Sequence, residues 1–244
     1  MILNRKTDEL KSRYLIELCR ELYLKDIEER HKLRGDHVMD MLVNILASAV
    51  GSLTNLTKLA NNFKSNGIHV SDKTIGMYIG YLLDAFFINK VERYDIKGKK
   101  YIASPFKYYF TDIGLRNARL NFRQQEENHI MENIIYNELL VRGFNVDVGV
   151  VERSERDENG KVIRKKLEVD FVCNRGNQRY YIQSAFVIPD RDKMQQEQKS
   201  LVHIGDSFKK IIVVKDRIKL WRNEKGIVIM GIMDFLLNPN SLEL

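Results

Sequence analysis

The stretch Glu168-Val-Asp-Phe-Val-Cys-Asn-Arg-Gly-Asn-Gln-Arg-Tyr-Tyr-Ile-Gln-Ser-Ala185 limits the fold more than any other part of the chain. Leu167 to Val172 is rich in β-branched and aromatic residues, Asn174 to Gln178 supplies the Gly and Asn of a tight connection, and Tyr180 to Ile188 resumes the strand pattern. One strand therefore carries the carboxylate of Asp170 and its neighbour carries the amide of Gln183. Because side chains alternate along a strand, Glu168 and Asp170 are expected on one face, Val169 and Phe171 on the other, and Gln183 and Ala185 on a shared face. A polar site on one face of a sheet is the expected result.

A helix bearing Glu132 (His129-Ile-Met-Glu-Asn-Ile-Ile-Tyr-Asn-Glu-Leu-Leu) precedes this strand pair. A helix with a Glu, a carboxylate on one strand, and a second strand with two site positions one residue apart together resemble the core of the PD-(D/E)XK nuclease fold. That resemblance implies a divalent metal, Mg or Mn, held by acids at Glu132 and Asp170, with Gln183 as the third catalytic position. The Glu-x-Lys of active members is here Gln183-Ser184-Ala185. An amide in place of a carboxylate weakens a hard-cation site. A methyl in place of an ammonium removes the positive charge that favours forming hydroxide and a charged phosphorane. The chain is therefore expected to be non-catalytic, with a metal-dependent nuclease using Glu132, Asp170 and Gln183 as the alternative. Glu168 lies nearby, and Lys166 or Lys199 are the candidates to replace the absent lysine.

With 244 residues the chain exceeds one ordinary domain, so two are expected. No apolar run reaches the ~18 residues of a membrane span, and Met1-Ile-Leu-Asn-Arg-Lys lacks the apolar core of a signal peptide. A cytoplasmic protein is expected, with Cys19 and Cys173 as reduced thiols. The 40 cations and 33 anions leave a net charge of +7, which permits nucleic-acid binding, although the two signs are interspersed.

Taken in order, residues 1–35 read as a helical lead-in with Leu10, Tyr14, Leu18 and Leu22 at helical spacing and Gly35 at its end. Residues 36–105 follow the order helix, helix, helix, two-stranded wing, a winged helix-turn-helix. Thr54 and Ser71 are the expected caps of the second and third helices, and Ile75, Tyr78, Ile79 and Leu82 are the buried side of the third. Lys73, Thr74, Met77 and Tyr81 on that helix, with Lys97, Lys99 and Lys100 on the wing, are the candidate DNA contacts. Residues 106–120 read as an aromatic connector, with Asp112 opening a short helix. Residues 121–244 then run helix, three strands with an Asn159-Gly160 turn, helix, strand, strand, helix; the first part of this, helix, three strands, helix, strand, is the order that the nuclease-like resemblance implies. Glu132 also admits a simpler reading, facing water from an apolar helix. The fold class expected overall is mixed α+β or α/β.

Read end to end, the chain is similar to the C-terminal half of a family of prokaryotic AAA-type ATPases. The resemblance rests on Arg5-Lys-Thr with Tyr23-Leu-Lys-Asp-Ile, Lys73-Thr-Ile with Tyr81-Leu-Leu-Asp-Ala-Phe, and Lys107-Tyr-Tyr with Asp112-Ile-Gly-Leu-Arg-Asn-Ala. It continues through Glu132-Asn, Glu168-Val-Asp-Phe and Tyr181-Ile-Gln to Asp234-Phe-Leu-Leu. It implies an accessory region, DNA- or protein-binding, working with an ATPase domain in cis or in trans. No Gly-x-x-x-x-Gly-Lys-Ser/Thr phosphate loop occurs in these residues. A stand-alone winged-helix regulator is a third expectation.

Overall fold

Thr7 opens the first helix because its hydroxyl accepts the Leu10 N–H at 3.2 Å, and Asp8 and Glu9 then complement the helix dipole. In the computed structural model, which describes residues 2–33, 37–123, 126–156 and 161–244, α1 (Asp8–Leu18) passes into a π-helical turn, Cys19–Leu24, and then α2 (Lys25–Arg30). The π turn adds a residue to the repeat, so Cys19 and Leu24 share one side. The buried stripe is Leu15, Cys19, Leu24 and Ile27. The expected stripe is corrected accordingly: Leu10 is exposed, and the side chain of Leu22, like Gly35, lies outside the described residues.

By its internal contacts the chain divides into two units, Met1–Lys90 with Pro105–Glu126, and Val91–Ser104 with Glu127–Leu244. The first holds the lead-in and α3 (His37–Ser48), α4 (Leu56–Ser65) and α5 (Asp72–Asp84). Ser71 caps α5 as expected, its hydroxyl accepting the Thr74 N–H at 3.1 Å. For α4 the cap is Asn55, whose Oδ1 accepts the Lys58 N–H at 2.7 Å. Thr54 is committed elsewhere, exchanging both backbone hydrogen bonds with Phe106. Strands β1 (Ile88–Asp95) and β2 (Lys100–Phe110) form the hairpin, so the aromatic half of the expected connector is strand. α6 (Ile113–Arg119) follows, capped by Asp112, and its fully buried Arg116 donates from Nε to the carbonyl of Ala47 at 2.8 Å.

The second unit contains α7 (Glu127–Val141), β3 (Asn145–Arg156), β4 (Val162–Arg175), β5 (Gln178–Ala185), α8 (Arg191–Val202) and β6 (Lys209–Val214). A two-residue β7 (Trp221–Arg222), β8 (Val228–Gly231) and α9 (Ile232–Leu237) complete it. This is the helix, three-strand, helix, strand order read from the sequence; the Asn159-Gly160 turn lies outside the described residues. The described fold is mixed α and β, with an eight-stranded mixed sheet in the order β2-β1-β3-β4-β5-β6-β8-β7. β3, β4 and β5 form an antiparallel meander, and α8 crosses over so that β6 runs parallel to β5. Val151, Val169, Tyr181, Ala185, Leu201 and Ile212 belong to the apolar core of this unit.

The hairpin tip joins this second unit, a grouping that differs from the 36–105 boundary. Arg93 to Asp95 of β1 pair in parallel with Val148 to Val150 of β3, and Ile96 enters the core. Among the described residues no helix is long and apolar enough to cross a membrane.

Candidate functional site

Strands β4 and β5 share a ladder from Arg175↔Gln178 to Phe171↔Ile182, where it stops although both strands continue. Beyond that point β4 follows β3 back to Val162, and β5 follows β6 to Ala185. The two strands thus form a fork. At its throat Asp170, only 8% exposed, accepts a hydrogen bond at Oδ2 from the main-chain N–H of Ser184 at 2.8 Å. Gln183 is the adjacent residue on β5, and its Oε1 accepts from Ser200 Oγ of α8 at 3.4 Å.

The register on the other side of β4 explains the opening. Asp147 faces Val172 and Gly149 faces Val169, so Val148 alone stands opposite both Asp170 and Phe171. Such a bulge breaks the two-residue alternation and bends its strand. Val169 and Val172, three apart, therefore lie on the same side, where a Cβ on Gly149 would fall 2.9 and 2.8 Å from them. Phe171 packs instead toward Tyr136 of α7, ring centroids 6.4 Å apart. The expectation that Val169 and Phe171 share a face is corrected: the bulge is set by the pairing of β4 with β3, outside the motif's own hairpin.

Glu132 is buried in α7 at 8% exposure, which overturns the water-facing reading; its Oε2 lies 3.9 Å from His129 Nδ1. α7 is covered on several sides, since Met131, Asn133, Ile135, Tyr136 and Leu139 are buried as well. Ala185, at 1% exposure, is packed in the core with Leu201. Of the candidate replacement lysines, Lys166 stands opposite Glu152 in the β3–β4 ladder, and Lys199 Nζ is 3.8 Å from Glu155. Among the described residues no three His, Cys, Asp or Glu side chains converge to hold a metal ion. The donor set does not fit a divalent cation, because one Asp170 oxygen already serves the Ser184 N–H and the neighbouring position is an amide.

The DNA-contact candidates fall in two places. On α5, Lys73 and Met77 are exposed, while Thr74 is half-buried with its Oγ1 2.9 Å from Ser71 Oγ. Tyr81 is stacked on His31 of the lead-in, centroids 3.5 Å apart and planes 11° from parallel. A ring covered in this way is not the open recognition-helix contact expected from sequence. Lys97, Lys99 and Lys100 are exposed at the hairpin tip, shaped by Asp95 Oδ1 accepting the Gly98 N–H at 2.8 Å.

Sequence reading passed over Asp147 on β3. Burial pushes its carboxyl up to about 6, against a Tyr101 hydroxyl that donates to Oδ2 at 3.4 Å and eases the charge. The signal for it was slight, an acid among the valines of Val146 to Val151.

Comparison with known proteins gives a consistent setting. An uncharacterized protein from Haemophilus influenzae is 31% identical over 230 residues, covering 94% of this chain and 53% of its own. An uncharacterized protein, MJ1544, from Methanocaldococcus jannaschii is 28% identical over 186 residues, covering 76% of this chain and 39% of its own. The chain thus spans about half or less of the length of these relatives. The crystal structure of protein VC1899 from Vibrio cholerae aligns over 85% of this chain and 56% of that one, at 13% identity and a TM-score of 0.33, too weak a likeness to carry meaning for the fold. A family model described as a domain of unknown function, DUF8612, matches residues 1–126. Matching more than half of its residues, from the lead-in through α6, the chain belongs to the DUF8612 family.

Proposed function

We propose that this chain is an accessory nucleic-acid-binding region working with an AAA-type ATPase, in which a winged helix accompanies a PD-(D/E)XK nuclease-like domain that has lost cutting. The observation that carries the reading is the fork between β4 and β5 with Ala185 buried beside it. A metal-dependent nuclease needs several oxygen ligands and an ammonium near the attacking water. At the fork one acid is bound to the main chain of the neighbouring strand, the next position is an amide held by α8, and the lysine position is a methyl group inside the core. The chain order of helix, three-stranded meander, helix and strand agrees with what the nuclease-like resemblance implies, which supports kinship without catalysis.

The net charge of +7 and the exposed Lys97, Lys99 and Lys100 support a polyanion as the partner. The relatives carry as many residues again outside the matched stretch, room enough for a motor domain. Labelled duplex and single-stranded DNA titrated with the full chain test the binding, and plasmid incubated with Mg²⁺ or Mn²⁺ tests the chemistry. Expected are an affinity that falls with salt and weakens in Lys97→Ala/Lys99→Ala/Lys100→Ala, and intact plasmid. Cutting that disappears in Asp170→Ala would make the chain a nuclease. Absent or salt-independent binding to both DNA forms would remove DNA as the partner and favour a protein in its place.

A further inference from the structure

Within the second unit, α8 and the turn after β7 border two adjoining hollows of 430 and 420 Å³ that share Gln195, Gln198 and Lys225. Five cations line them, Arg153, Arg191, Lys199, Arg222 and Lys225, against two carboxylates, Asp192 and Glu224. Trp221 stands among the cations and is 44% exposed. An indole left that open forgoes much of the hydrophobic gain of burial, on the strand residue next to an arginine.

The turn that presents these groups is already built. Asn223 Nδ2 donates to Gln198 Oε1 at 2.9 Å, while Asn223 Oδ1 accepts the N–H groups of Lys225 and Ile227, both at 3.0 Å. Gly226, at φ +73°, closes the turn in a conformation that a side chain would strain. A preformed surface binds without the entropy cost of ordering it. Arg153 and Lys199 share Glu155, at 3.0 and 3.8 Å, and Arg222 gives one guanidinium nitrogen to the oxygen of Leu244 at 3.3 Å, so Arg191, Lys225 and the remaining donors of Arg222 face the groove's ligand.

We infer that this groove binds single-stranded nucleic acid, with a base stacked on Trp221 and phosphates met by Arg191, Arg222 and Lys225. The chemistry is that of sequence-tolerant strand binders, in which an aromatic face takes a base and cations track the backbone. Duplex offers the phosphates but keeps its base faces stacked inside, so an exposed indole favours the unpaired strand. The inference rests on the nucleic-acid reading above and adds to it the form of the strand and the surface that takes it.

Trp221 is the only tryptophan in the chain, so its emission reports on the groove directly. The full chain is titrated with oligo(dT) and oligo(rU) of about 20 nucleotides, long enough to cross one such groove. Labelled forms of the same single strands and a labelled duplex of equal length are followed by anisotropy in parallel, which also reads Trp221→Ala, a variant without a tryptophan signal. Expected are saturable quenching by a single strand, tighter binding than to duplex, and at least about fivefold weaker binding in Trp221→Ala. Arg222→Ala with Lys225→Ala is expected to lower the slope of log affinity against log salt by about 1.4, the single-strand value for two phosphate contacts; comparing oligo(dT) with oligo(rU) separates DNA from RNA. Strand binding with unquenched Trp221 and wild-type affinity in the double variant would overturn the groove while leaving nucleic-acid binding in place elsewhere on the chain. Quenching with duplex bound as tightly or more so would overturn the single-strand assignment, and no binding to any of the three would overturn both readings.

Discussion

Asp170 Oδ2 accepts the main-chain N–H of Ser184 at 2.8 Å where the ladder between β4 and β5 ends. The carboxylate thus takes the place of the backbone partner that Ser184 would have had in a continued ladder. Asp170→Ala leaves a part-buried donor unmet and is expected to cost about 1–3 kcal/mol, whereas Asp170→Asn, which keeps an acceptor oxygen, costs less. Denaturant midpoints at unchanged slope measure the difference. Equal loss in both variants would mean that the charge, and not the hydrogen bond, matters at this position.

Placing a lysine at position 185, as the resemblance drawn from the sequence asks, is expected to harm the fold. Ala185 is 1% exposed and packed with Leu201, so Ala185→Lys forces an ammonium and a four-carbon stem into a filled core. A loss of about 3 kcal/mol or more is expected from overpacking and desolvation together. Adding Gln183→Glu is not expected to recover it. Thermal unfolding of the single and double variants reads this out; a Lys variant as stable as the parent would show that the fork has room for the missing group.

Asp147 makes stability depend on pH with a definite sign. Its folded carboxyl is raised to about 6 by burial, above the ordinary value, so the native state holds this proton more tightly than the unfolded chain does. The contribution is therefore present in full below pH ~4 and is lost as pH rises to about 6. Allowing for the partial exposure of the group, its size is on the order of 2 kcal/mol. Asp147→Asn, which cannot ionise, is expected to raise the melting temperature relative to the parent at pH 7.5 and to leave it nearly unchanged at pH ~3.5. A difference independent of pH would remove Asp147 as its source.

The two thiols are expected to be inert in the native protein. Burial is the largest cause that pushes Cys19 up to about 11 and Cys173 well above its ordinary value. Since the thiolate is the reactive form, neither should be modified by a thiol reagent at pH 8 until the chain unfolds. Rapid labelling of Cys173 under native conditions would show that β4 opens locally.

His31 and Tyr81 stack at 3.5 Å between ring centroids and join the lead-in to α5. His31→Ala is expected to cost about 0.5–1.5 kcal/mol. Comparing its denaturant midpoint with that of Tyr81→Ala and of the double variant isolates the pair; additive losses would show that the rings do not stabilise one another.

Much of the local structure was legible because short-range chemistry wrote it. The Ser71 and Asp112 caps, the buried side of α5, the strand-turn-strand of Glu168–Ala185 and the helix-strand order after Glu127 all follow from side chains acting within a few residues of themselves. The positions that went astray involve partners distant in sequence. Thr54 lost its cap to Asn55 because Phe106 claims its backbone, and the lead-in stripe shifted from Leu10 to Leu15 with a π turn inside the helix. Glu132 is buried because the elements packed around α7 cover several of its sides at once.

The residues alone determined that this chain carries an acid and an amide on neighbouring strands, with a methyl group where the nuclease resemblance asks for a lysine, because strand periodicity and composition are local properties. Only the tertiary structure decided what surrounds them. A bulge opposite Val148 breaks the face pattern around Asp170, the parting of β4 from β5 turns that carboxylate toward a backbone N–H, and the crossover of α8 closes the core over Ala185. Each of these depends on which strands and helices meet across long stretches of chain, and no window of sequence contains both partners.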